Sequence, residues 1–222
     1  MRHWARWVPL ALCAELWSAP ARAQPPEGSQ KASAPQHGPL TVRERKQLES
    51  GASVSRPLRF AHDGGSYVGG LSYLVVEARP ETVLAALWDV ANWPEVLPRT
   101  ISARTVSDSE GLSRVELVQG TSFLEARYSI LLERAPDGET LRFWLDPARP
   151  HDIRDVWGFF RVRALPGGRS LITVAAALDL GPGLARLLFE DKIAGMILRT
   201  PVKIRSFVER RASALAAERP EP

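Results

Sequence analysis

The stretch PARPHDIRD, residues 147–155, gathers an imidazole, two carboxylates and a guanidinium in His151, Asp152, Asp155 and Arg154. Histidine titrates near neutral pH and an acidic neighbour fixes its tautomer, so this pairing could supply general acid–base chemistry to a substrate held beside it. Adjacent residues on an extended segment point to opposite sides, however, and a solvated hairpin loop whose charges compensate one another accounts for the same residues. Glu125 and Arg127 alternate with Leu124, Ala126 and Tyr128, which puts them on the solvated face as a cross-strand charge ladder. No base, nucleophile and electrophile can be named together, so no catalytic residue is assigned.

Metal and phosphate chemistry have even less to work with. Beyond residue 23 the chain offers His37, His62 and His151 and no cysteine, and no H-x-x-x-H spacing occurs, so neither a metal nor a cofactor is expected. The glycine pairs at 64–65, 69–70 and 167–168, and GPG at 181–183, lack the G-x-x-x-x-G-K-[ST] spacing. They read as turns and a strand bulge. A G-x-S-x-G elbow is absent as well.

Apolar ligand binding has broader support. Phe143 and Leu145 share one face of a strand pattern, Tyr128 and Ile130 share a face of another, and a third carries Trp157, Phe159 and Phe160. Tyr128 and Trp157 each combine an aromatic body with a polar tip that could orient a carbonyl or hydroxyl. On the C-terminal helical pattern Phe189, Ile193, Met196 and Ile197 extend the apolar stripe, which Ile204, Phe207 and Val208 continue. Periodicity alone does not distinguish a filled core from a cavity.

These residues need a scaffold. From Ser66, SYVGGLSYLVVEA alternates as a strand, and RPETVLAALWDVANW follows with Pro80 in a first helical turn. Strand patterns then succeed one another, separated by the turn signals DSEG, APDG and LPGG, as in an antiparallel meander. The last element, LARLLFEDKIAGMILRTPVKIRSFVERRASALAAE, is a long helix kinked at Pro201. It is the element long enough to cover the apolar face of the sheet. Pro94 and Pro98 end one helix and start a short second one across the open end, which sets Trp93, Val96 and Leu97 at the rim of a pocket.

The N-terminus reads as a targeting segment: Arg2 and Arg6, then WVPLALCAELW, then APARAQ with Ala21 and Ala23 in A-x-A spacing. Cleavage before Gln24 would remove Cys13, the sole cysteine, and deliver the protein to the periplasm or outside the cell. No later stretch approaches the ~18 apolar residues that span a bilayer. Residues 24–39, QPPEGSQKASAPQHGP, have little to bury and read as a disordered linker. LTVRERKQLESG then forms a short helix with a capping box from Thr41 to Glu44 and a stop at Gly51. The formal charge of +4 is half contained in the first 23 residues, which leaves no nucleic-acid footprint. The basic residues Lys192, Arg199, Lys203, Arg205, Arg210 and Arg211 would allow transient contact with a membrane surface, although the interspersed acids Glu190, Asp191 and Glu209 favour a solvated helix face.

The element order, with DVANWPEVLP after the first helix, LRFWLDPARP in the meander, WGFFRVRALPGGRSLITVAAALDLG, and a closing LRTPVKIRSFVE, resembles the START-like (SRPBCC) superfamily. Within it, the similarity is to the polyketide cyclase/dehydrase and coenzyme-Q-binding START-like group. It covers roughly residues 66 to 212, and its most specific piece is D-x-x-x-W-P-x-x-L-P: Asp89, Trp93, Pro94, Leu97 and Pro98. The resemblance implies an α+β helix-grip fold, in which a curved antiparallel sheet of about six or seven strands wraps a long C-terminal helix around an apolar pocket. The chain then divides into a signal peptide at 1–23, linker and short helix at 24–65, and a START-like ligand-binding domain at 66–217. The superfamily includes carriers, cyclases, hydrolases and plant hormone receptors, so fold alone does not decide function.

The sequence thus points to a hydrophobic small molecule, such as a lipid, isoprenoid quinone or polyketide, held without turnover. An aromatase/cyclase-like enzyme using the same pocket is the alternative, and an interaction domain with a filled core the second. The oligomeric state is left open.

Overall fold

The computed structural model describes residues 39–121, 124–182 and 184–217, with the side chains of 121, 124, 184–190 and 213–217 outside that description. The targeting segment and nearly all of the linker therefore lie outside the described residues. Helix α1 (Val42–Glu49) opens with the expected capping box: the Glu44 amide donates to Thr41 Oγ1 at 3.2 Å and the Thr41 amide to Glu44 Oε2 at 2.8 Å. Gly51, at φ +79°, follows its end. The Glu44 carboxylate also receives both arms of Arg56, Nε at 2.8 Å and Nη2 at 2.7 Å, while the guanidinium lies 5.7 Å from the centre of the Tyr73 ring. One carboxylate thus caps α1 and clasps it to the sheet.

That sheet has eight strands, one more than the upper expectation, all antiparallel. The additional strand is β1 (Val54–His62), inside the segment read as linker and helix, so the folded unit begins well before Ser66. Arg56 and Pro57 interrupt its apolar alternation, and the pairing of His62 with Gly65 through Val54 with Tyr73 organises it instead. Then come β2 (Gly65–Val76), β3 (Thr100–Ser109), β4 (Leu112–Thr121), β5 (Leu124–Arg134), β6 (Thr140–Leu145), β7 (Asp155–Leu165) and β8 (Arg169–Asp179). Their order across the sheet is β1-β2-β8-β7-β6-β5-β4-β3. Gly69 and Gly70 pair regularly with both β1 and β8, so they are not the bulge that glycine in a strand suggested. Register shifts fall in β3 instead, between Thr100 and Ser102 and between Thr105 and Ser107.

Because β3 lies at the edge far from β2, the chain must cross the sheet between them. Helix α2 (Pro80–Trp88), a 3-10 turn (Val90–Asn92) and the short helix α3 (Trp93–Val96) make that crossing. Asp89 accepts the Ala91 amide at 3.2 Å and Asn92 Nδ2 donates to the Ala86 carbonyl at 3.1 Å, so side chains satisfy the broken helix end. Trp93 is 1% exposed and its indole N–H donates to the Leu87 carbonyl at 2.8 Å. Trp93 and Val96 are therefore interior residues, not a rim: the turn drives them inward, where they join the core with Val83, Leu87 and Val90.

The C-terminal pattern divides into α4 (Leu184–Leu198) and α5 (Thr200–Ala217). Pro201 supplies no amide hydrogen and its ring crowds the preceding turn, so the helix breaks one residue before Thr200. The halves have different tasks. Ile204, Phe207 and Val208 of α5 are buried in the core with α2 and α3, and Glu209 Oε1 accepts the Glu77 amide at 3.3 Å. Helix α4 lies over β1 and β2, and its Ile193, Met196, Ile197 and Leu198 remain partly exposed. Among the described residues, no helix is long and apolar enough to cross a membrane.

Two outcomes follow. Trp93→Ala should cost about 3–5 kcal/mol in urea denaturation, the price of a large buried aromatic. Hydrogen bonds from Arg56 and then from the Thr41 amide lower the Glu44 pKa from 4.5 to about 2. A depressed folded-state pKa contributes stability that is complete above the unfolded value and vanishes as pH falls through the folded one. The melting temperature of the wild type should accordingly exceed that of Glu44→Gln at pH 6, with the gap closing towards pH 2.

Candidate ligand-binding site

Between the inner face of the sheet and α4 lies a cavity of about 330 Å³. Its floor follows from small residues in register: Ala176 of β8 stands opposite Gly70 on one side and Gly158 on the other. A Cβ at Gly158 would sit 2.5 Å from Phe143 Cζ, and one at Gly70 2.9 Å from Leu198 Cδ2. Glycine at these two positions lets a ring and a helix residue close down on the strands, and the alanine between them lines open space.

Phe143 and Phe160 form one wall, their ring centres 5.4 Å apart, while Tyr128 and Ile130 continue it on β5. Ile193, Met196 and Ile197 of α4 make the roof, and Trp93 and Leu97 close the end at the crossing. These predicted residues are thus brought together around one space. Phe189 lies on α4 in the stretch whose side chains are outside the described residues. Trp157 does not join them. Strand side chains alternate, so Val156 and Phe160 face the cavity while Trp157 faces the other way, 6.2 Å from the ring of Phe60 and 6.5 Å from that of Tyr67.

One polar group set interrupts the apolar lining. Tyr128 donates its hydroxyl hydrogen to Gln119 Oε1, and Gln119 Nε2 donates to Thr100 Oγ1 at 2.9 Å. Burial pushes the Tyr128 phenol above its ordinary range, so it remains a protonated donor at neutral pH. Gln119 escaped the sequence reading, although it has the same parity as Val115 and Leu117 in β4 and so had to face inward. Among the described residues, the lining includes the charged side chains of Arg99, in the loop before β3, and Lys192, on α4. Arg99 takes a left-handed backbone, φ +60°, and its carbonyl accepts the Gly120 amide at 2.8 Å.

The His151 loop stays outside the lining. His151 Nδ1 lies 2.7 Å from the Ile153 carbonyl, and Asp152 Oδ2 accepts the Arg127 amide at 2.8 Å, so the imidazole ties the loop to itself and the carboxylate braces it to β5. Ile153, between them and Val156, contributes the apolar side chain that does line the cavity. Glu125 and Arg127, 3.2 Å apart, form an exposed pair as their alternation required.

No family model matches the chain, and no curated protein does. Solved structures do. An aromatase/cyclase, Zhui from Streptomyces sp. R1128, is 13% identical with a TM-score of 0.54, over 72% of this chain and 96% of its own. A STAR-related lipid transfer protein from Xanthomonas axonopodis is 14% identical with a TM-score of 0.53, over 70% and 98%. Human STARD10 is 10% identical with a TM-score of 0.55, over 82% and 84%. At these identities the likeness shows the fold alone: an α+β helix-grip fold like that of these structures, with one curved antiparallel sheet and a C-terminal helix.

Tyr128→Phe removes one hydrogen bond without changing the lining volume and should lower the stability of the ligand-free protein by about 1 kcal/mol. Urea denaturation of the two proteins side by side measures that difference.

Proposed function

We propose that this protein is an exported START-like domain that holds one hydrophobic small molecule, such as a lipid, isoprenoid quinone or polyketide-like compound, without chemical turnover. The observation that carries this reading is the cavity of about 330 Å³ beneath α4, whose described lining is mostly apolar, with Tyr128, Gln119, Thr200, Arg99 and Lys192 as its polar members. Removing apolar ligand surface from water supplies about 25 cal/mol per Å² before the costs of ordering. A protonated Tyr128 offers that ligand one directed hydrogen bond, which suits a carbonyl or hydroxyl. One structural neighbour is a lipid transfer protein and another an aromatase/cyclase, which supports a hydrophobic small molecule as the occupant. The carrier reading is preferred because the His151–Asp152 pair is occupied in bracing its loop and lies off the cavity. Export is supported by the basic start, apolar stretch and A-x-A spacing of residues 1–23.

Mass spectrometry of organic extracts from gently purified protein should reveal an apolar compound in stoichiometric amount. Ala176→Phe, which fills the floor of the cavity, should abolish its recovery and weaken uptake of a fluorescent lipid probe at least about tenfold. Clean apo-protein that also ignores a lipid panel would sink the reading.

A further inference from the structure

Resting on the ligand-binding reading, we propose that the molecule held in the cavity carries a hydroxyl group, which Gln119 selects by taking the hydrogen of the Tyr128 phenol and so presenting that phenol to the ligand as an acceptor. The neighbouring strands β3, β4 and β5 assemble this arrangement. Thr100 on β3 is the direct cross-strand partner of Gln119 on β4, and Tyr128 stands diagonally across on β5, where Leu117 is its direct partner. A long side chain reaches both positions from the middle strand. The Gln119 amide therefore sits between two hydroxyls, accepting from Tyr128 at Oε1 and donating from Nε2 to Thr100 Oγ1 at 2.9 Å. A phenol is more acidic than an aliphatic hydroxyl and the stronger donor, so the amide oxygen turns to Tyr128 and the amide nitrogen to Thr100. Neither Tyr128 nor Gln119 has another side-chain hydrogen bond among the described residues.

Counting hydrogens gives the chemistry that is left over. The phenol has a single hydrogen, already given to Gln119, and keeps its oxygen lone pairs, while the amide nitrogen retains a second hydrogen beyond the one given to Thr100. The pair thus offers the cavity an acceptor and a donor side by side. A ligand hydroxyl matches both, donating to the phenol oxygen and accepting from the amide. A carbonyl oxygen only accepts, so it satisfies Gln119 alone and leaves the phenol oxygen against apolar surface, a mismatch that costs most in a buried site. Both side chains line the cavity and Tyr128 is only 7% exposed. Among hydrophobic compounds this favours a long-chain or polycyclic alcohol over an isoprenoid quinone, whose ring oxygens only accept.

Displacement of a fluorescent lipid probe from the full chain by decyl methyl ketone and by its secondary alcohol, which share one carbon skeleton, tests this. The alcohol should bind roughly three- to tenfold more tightly than the ketone, the worth of one additional buried hydrogen bond. In Gln119→Leu the phenol hydrogen is released to the ketone, so the two compounds should approach parity or change order, a shift of selectivity that lost packing alone does not produce. In Tyr128→Phe/Gln119→Leu neither polar group remains, and the alcohol's advantage should disappear, with a cooperative urea transition showing that the variant is folded. Equal or tighter binding of the ketone by the wild type, or an alcohol preference undiminished in either variant, overturns the selection of a hydroxyl. Failure of the probe and both compounds to bind the wild type would instead overturn the ligand-binding reading on which it rests.

Discussion

Everything in this molecule depends on how the chain travels from β2 to β3. These strands are consecutive in sequence, yet β3 sits at the far edge of an eight-stranded sheet, so a path of 23 residues has to span the width. Trp93 fixes that path by burying its ring and hydrogen-bonding Leu87, its own predecessor in the chain. Once the crossing is anchored it gives α5 something to pack on. Ile204, Phe207 and Val208 fill the space there, and the break before Thr200 releases α4 to run on over the remaining sheet.

The domain is therefore filled at one end and hollow at the other. The floor of the hollow half is a row of small residues on three neighbouring strands, Gly70, Ala176 and Gly158, where a side chain at Gly70 would meet Leu198 of α4 and one at Gly158 the Phe143 ring. A filled core and a binding pocket were competing interpretations of one apolar stripe, and the helix break divides the stripe between them.

Much of this architecture was legible in the sequence. Turn signals and alternation located the strands from β2 onwards, and the capping box located α1, because each depends on neighbours a few residues away. What was missed depends on distant partners. The alternation of β1 is spoiled by Arg56 and Pro57, and only its register with β2 and the Glu44 clasp make it a strand. The row of small residues is invisible until β2, β7 and β8 are aligned. Trp157 and Gln119 are a different lesson: strand parity along β7 and β4 sends the first outward and the second inward, against what their aromatic and polar character suggests. The His151 loop attracted attention through its composition, whereas backbone hydrogen bonds decide its role.

An open sheet, unlike a barrel, keeps two edges, and each could recruit a strand from another molecule. In β1, Pro57 removes a donor, and in β3 two register shifts disrupt the regular spacing that an incoming strand would have to match. Irregularities that look like blemishes in the pairing thus protect the domain from aggregation, and they let it remain open-sided around its cavity without growing into a longer sheet.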